Sequence, residues 1–110
     1  MTFDEYQKQA LTTAIVNPDP LLDKSILALG LAGEAGEVVD KWKKALAYDN
    51  GILTDDDVAE LAKEMGDTLW YIAMLAERLG VSFDDIATRN LQKLADRKNR
   101  DVLRGAGDNR

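Results

Sequence analysis

Cysteine and histidine are both missing from these 110 residues. Without thiols there is no disulfide framework, no thiolate zinc site and no cysteine nucleophile. Without imidazole there is no general base whose ordinary pKa lies near neutrality. A basic excess is missing too. The net charge of −6 argues against a nucleic-acid surface, which wants a basic patch. No apolar run approaches the roughly 20 residues of a membrane span. The opening "MTFDEYQKQ" lacks the basic and apolar regions of a secretory signal, so the expectation is a cytoplasmic protein with no membrane or nucleic-acid partner. Any catalysis must run on carboxylates, Lys or Arg, hydroxyls or a bound metal.

What is present reads as helix. Hydrophobic residues make up 45% and charged residues 31%, and the helix formers Ala and Leu are among the commonest residues. The length suits one modest core. Thr2 and Glu5 are spaced as a capping box for a first helix, which should fade before "NPDP", a loop. A second helix is expected from about Asp23 to Tyr48, stopped by the turn signal "DNG". A third starts at "TDDD", capped by Thr54 or Asp55, and ends at Gly80. A fourth opens at "SFDD", where Ser82 and Asp85 are spaced like another capping box, and reaches about Lys98. Long helices with short connections predict an all-α, four-helix bundle-like protomer. Residues 1–98 form the expected helical domain and 99–110 a flexible tail, or one that docks only on a partner.

Counting about 100° per residue assigns the faces. On the second helix Leu27, Leu31, Val38, Trp42 and Ala45 form a stripe. Glu34 falls inside it and Glu37 beside it. A charge in a core stripe is unfavourable unless it is paired or holds a metal. The third helix buries Leu61, Met65, Leu69, Ile72, Ala76 and Leu79 by the same count, with Glu60, Glu64, Asp67 and Tyr71 on one shoulder. The fourth buries Phe83, Ile86, Leu91 and Leu94, with Asn90, Lys93 and Arg97 close by. Gly30, Gly33, Gly36 and Gly66 each weaken a helix by about 1 kcal/mol relative to alanine. Such positions are usually kept where a backbone or ligand comes close, although Gly36 lies roughly opposite the acid-bearing edge.

Singly, each feature has an ordinary explanation. A Glu-x-x-Glu pair is most often a solvated helix face, and Lys93 and Arg97 can be cations at a bundle edge. Together, Glu-x-x-Glu, Glu-x-x-Asp and Asn-x-x-Lys on three successive helices form one constellation. Four converging carboxylates repel unless divalent cations hold them, and oxygen ligands suit Mg²⁺ or Mn²⁺. Such a cation, with Lys93 and Arg97, would reconcile an acidic chain with an anionic substrate.

At these residues the chain resembles the MazG-like branch of the all-α nucleoside triphosphate pyrophosphohydrolases. The resemblance is carried by "GLAGEAGEVVDKWKK", "ELAKEMGDTLWYIAMLAERLGVSFDDI" and "RNLQKLADRK". It implies Mg²⁺-dependent hydrolysis between the α and β phosphates, giving a monophosphate and pyrophosphate, with pool housecleaning as one role. By motif position Glu34, Glu37, Glu64 and Asp67 would hold the metal, one of them orienting the attacking water. Asn90 and Lys93 would hold substrate phosphate or sugar. Helical spacing adds Arg97, and Lys41, one turn beyond Glu37, is a further candidate. The resemblance also implies a dimer or dimer of dimers. Independently, "LWYIAML" (69–75) is apolar nearly all round, which predicts an exposed Trp70 and Met74 at a homodimer or homotetramer interface. The rival readings are an all-α dUTPase, a phosphoribosyl-ATP pyrophosphatase-like enzyme, and a non-catalytic helical interaction module.

Overall fold

The computed structural model describes residues 1–110 as four helices and no strand: α1 (Phe3–Leu11), α2 (Pro20–Tyr48), α3 (Asp55–Arg78) and α4 (Phe83–Asn99). None is long and apolar enough to cross a membrane. Local chemistry sets their ends. Thr2 and Glu5 form the expected capping box on α1, and Thr54 forms one with Asp57 on α3. Asn50 (φ 54°) and Gly51 (φ 75°) turn the chain after α2, and Gly80 (φ 69°) turns it after α3; left-handed backbone of this kind favours Gly and Asn.

Two local expectations need correcting. Helix α2 begins at Pro20, inside the supposed loop, because Asp19 caps it by accepting from the N–H groups of Leu21 and Leu22. Pro20 at the first helical position has no N–H to leave unsatisfied. Ser82 caps α4 by accepting from the Asp85 N–H, but no box forms, because the Asp85 carboxylate pairs with Arg89 rather than accepting from the Ser82 backbone N–H.

The core lies at one end, where Ala10, Leu27, Ala73, Met74 and Phe83 meet. Gln7 ties three helices there: its amide donates to the Val81 carbonyl (3.0 Å) and its Oε1 accepts from the Phe83 N–H (3.0 Å). The first turns of α1 and α4 cap each other. Phe3 N–H donates to Asp84 and Asp84 N–H donates to Asp4, while the Phe3 and Phe83 rings pack tilted at 41°, their centroids 4.7 Å apart.

Met74, expected on an exposed face, is fully buried, because α1 covers that side of α3. Trp70 is half-buried, its indole N–H donating to Thr13. Conversely, Trp42, Met65 and Leu79, expected in the core, are exposed. So are Ile86, Leu91 and Leu94, because α4 touches only α1 and the end of α3 and makes no contact with α2. The radius of gyration is 16.9 Å, against about 13 Å for a compact chain of this length. Residues 101–110 lie back along α4, where Asp108 meets Lys93 and Arg97.

Candidate active site

Helices α2 and α3 run antiparallel in strict step. Moving up α2, Asp23, Gly30, Glu34 and Lys41 meet Arg78, Tyr71, Asp67 and Glu60 in turn on α3. Steps of seven and four residues return a helix to nearly the same face, so one edge of each helix faces the other throughout. Gly30 is required by this packing, because a Cβ there would strike the Tyr71 ring. Gly33, Gly36 and Gly66 have open space where a side chain would be. The close approach inferred from the glycines thus holds at one position of the four within the chain.

Midway along the seam, carboxylate oxygens of Glu34, Glu64 and Asp67 lie within 4.8 Å of one another. Glu34 and Glu64 are half-buried and Asp67 is exposed. Burial first, and then the charges of Asp67, Glu64 and Glu37, push the Glu34 carboxyl above its ordinary range. Glu37 is exposed and outside the trio, but close enough for its charge to be felt at Glu34. Lys41 is the cation that pairs with the trio, its Nζ 3.4 Å from Glu64 and 3.5 Å from Glu60. It therefore offsets part of the acid charge.

Asn90, Lys93 and Arg97 lie elsewhere, on α4. Asn90 and Lys93 line an open groove of about 340 Å³ with Ile86 and Arg89. Within one chain this edge does not reach α2.

Three residues near these sites escaped the sequence reading. The Tyr6 phenol is pushed up by burial and then by the charge of Asp67, which places α1 beside the acids. Its spacing with Phe3 and Ala10 marks a packing face but names no neighbour. Glu60, placed by its spacing on the α3 shoulder but given no role, pairs with Lys41 and Lys63. Asp108, in a tail without periodicity, had no signal to find it.

Residues 23–101 match the family described as the MazG nucleotide pyrophosphohydrolase domain. The chain belongs to that family. The match spans nearly all of α2 and the whole of α3 and α4, and so takes in Glu34, Glu37, Lys41, Glu60, Glu64, Asp67, Lys93 and Arg97 but not Asp108. The chain is also 42% identical, over the full length of both proteins, to the "Gene 37 protein" of Mycobacterium phage L5, whose name states no activity. No solved structure matches.

MazG proteins act on nucleotides and generally depend on a divalent metal. The residues present fit such an ion. The trio is an all-oxygen donor set on two rigid helices, which suits a hard cation. Its mutual repulsion, read in the raised Glu34 carboxyl, is what a bound positive charge relieves.

Proposed function

We propose that the chain is a Mg²⁺-dependent nucleoside triphosphate pyrophosphohydrolase that cleaves between the α and β phosphates. The observation that carries this reading is the convergence of Glu34, Glu64 and Asp67 from two helices, in a chain of a nucleotide-hydrolysing family. When bound, Mg²⁺ (or Mn²⁺ in its place) supplies positive charge for the polyphosphate and acidifies water. Glu34, Glu64 and Asp67 hold the ion, with Glu37 at the edge of the same face. One of these carboxylates orients the attacking water and takes its proton, a role left to histidine in many hydrolases. Lys41 keeps the cluster from repelling itself apart before the ion arrives. Asn90, Lys93 and Arg97 bind substrate phosphate or sugar. An apolar groove of about 330 Å³, lined by Ala35, Val38, Met65, Leu69 and Ile72, offers surface to the nucleoside end.

This reading needs a second copy of the chain. The accessible surface is 8030 Å², against roughly 6,000 Å² for a compact protein of this mass. The difference, about 2,000 Å² per chain, exceeds the roughly 800 Å² per partner of a standard interface and matches the large obligate class. Only 11 of 110 residues are buried, and Val39, Trp42 and Leu46 on α2 and Leu91 and Leu94 on α4 are exposed. A homodimer, or a dimer of dimers, covers these faces and brings one chain's α4 to the other's acids. Light scattering should therefore report at least a dimer at micromolar concentration, and a monomer would count against it.

The activity test is direct. The protein is incubated with Mg²⁺ and the common ribo- and deoxyribonucleoside triphosphates, including dUTP, and with phosphoribosyl-ATP. Monophosphate plus pyrophosphate is expected, and the preferred substrate separates the three enzymatic readings. No turnover of any of these nucleotides, together with no saturable Mn²⁺ binding by calorimetry, would leave a non-catalytic helical module instead.

A further inference from the structure

The residues after α4 turn back through Asp101 (φ 57°), Gly105 (φ 148°) and Gly107 (φ 86°). Arg110 closes the hook with its guanidinium on the carbonyls of Val102, Gly107 and Leu103. This delivers Asp108 to α4. One Asp108 carboxylate oxygen lies 2.7 Å from Lys93 Nζ and 3.1 Å from Arg97 Nη2, and the Asp108 carbonyl also accepts from Arg97 Nη2. Lys93 further lines the open groove beside Asn90.

We propose that Lys93 and Arg97 form an oxyanion site for a substrate phosphate group, and that Asp108 fills this site in the ligand-free chain as a displaceable, autoinhibitory stand-in. The proposal rests on the pyrophosphohydrolase reading for the identity of the anion. It goes beyond that reading in assigning the tail a competing role.

Two observations separate a stand-in from a structural ion pair. First, Arg97 is only 5% exposed, yet its Nε–H is buried with no partner. Asp108 takes one face of the guanidinium and leaves a donor unused. A phosphate group, with more acceptor oxygens and more charge, can accept from several donors of a guanidinium at once. Second, little besides polar contacts holds the hook. Leu103 is 47% exposed and the Asp108 side chain 74% exposed. The exposed Lys93–Asp108 pair contributes little, and segments with few buried apolar contacts open locally at small free energy. A hook closed nine-tenths of the time weakens the apparent affinity of a competing anion about tenfold.

The test uses inorganic pyrophosphate as probe, with the full-length protein in metal-free buffer so that the acid cluster takes no part. By calorimetry, Asp108→Asn should bind pyrophosphate about tenfold more tightly than the unmodified protein. The gain should vanish when Lys93→Gln is added. In the unmodified protein, pyrophosphate should release the hook, seen as sharpened amide resonances of Gly105 and Gly107. Equal or weaker binding by Asp108→Asn, no binding by either protein, or unmoved Gly105 and Gly107 at saturation would each overturn the proposal. Nucleotide turnover with unchanged pyrophosphate binding sinks the hook and spares the enzyme. The expected binding without turnover does the reverse.

Discussion

Asp23 and Glu34 sit about three turns apart on α2, both facing α3, and their carboxyls are displaced in opposite directions. Asp23 accepts from the Asn17 backbone N–H (2.9 Å) and from Arg78 Nε (2.6 Å). The first of these and then the second hold it below the ordinary carboxylate range. Glu34 meets Asp67 and Glu64 instead of an arginine and is pushed up, by burial first and then by their charges. The Asp23 station pins the loop before α2 to the end of α3, beside the core around Met74. At the Glu34 station the same two helices bring like charges together. A leucine there would favour folding more, because removing a buried repulsion commonly stabilises. One station serves the fold, and the other fits the cation proposed above.

If that division is right, mutations at the two stations should change different measurements. Met74→Ala, in the fully buried core, should cost about 2–5 kcal/mol, read as a lowered denaturant midpoint. Its kcat/KM should stay near that of the unmodified protein at temperatures where the variant remains folded. Glu64→Gln should do the opposite. Activity should fall more than about 100-fold, beyond the loss of an outer-shell partner, while Tm holds or rises. A Glu64→Gln variant that unfolds early and keeps its activity would erase the distinction.

Glycine provides a finer probe. Gly30→Ala should destabilise by about 1–3 kcal/mol through overpacking against Tyr71. Gly66→Ala, with open space around it, should stabilise by roughly 0.5–1 kcal/mol. Because Gly66 lies between Glu64 and Asp67, a loss of activity in that stabilised variant would show that substrate or a second chain closes on it.

The smallest effect is on pH dependence without metal. Asp23, depressed in the fold, stabilises fully above its ordinary value of 3.8, and this is lost as pH falls through the lower folded value. Glu34, raised in the fold, opposes folding as pH rises from its ordinary 4.5 through the higher folded value; below 4.5 the opposition is gone. Melting curves in chelator should show Glu34→Gln flattening the decline above pH 4.5. Asp23→Asn should instead lower Tm near neutrality and flatten the acid-side fall. Parallel Glu34→Gln and unmodified profiles would mean that Glu34 feels no such field.

Helix ends were legible because capping is local. Thr2 with Glu5, Thr54 and Ser82 each stand within three residues of the N–H they satisfy. The acid motifs were legible for the same reason, since three- and four-residue spacing fixes a helix edge before anything packs against it. Core membership was read less well. Periodicity marked Met74 and Leu91 as apolar but did not say which would be covered. Met74 is buried because α1 folds over it, and Leu91 is bare because α4 leaves the bundle. Asp108 could not have been found by pattern at all. Its meeting with Lys93 and Arg97 depends on a turn made of glycines and on Arg110 closing it.

The amino-acid sequence alone determined the four helices, their caps, and which edge of α2 and α3 carries carboxylates, because those depend on neighbours within a turn or two. The tertiary structure alone decided that Glu34, Glu64 and Asp67 converge while Glu37 stays outside. It also decided that Lys41 partly neutralises them and that the cations of α4 hold the chain's own tail. Those outcomes depend on how two rods register and where a third one points, which is settled by packing between residues far apart in the chain.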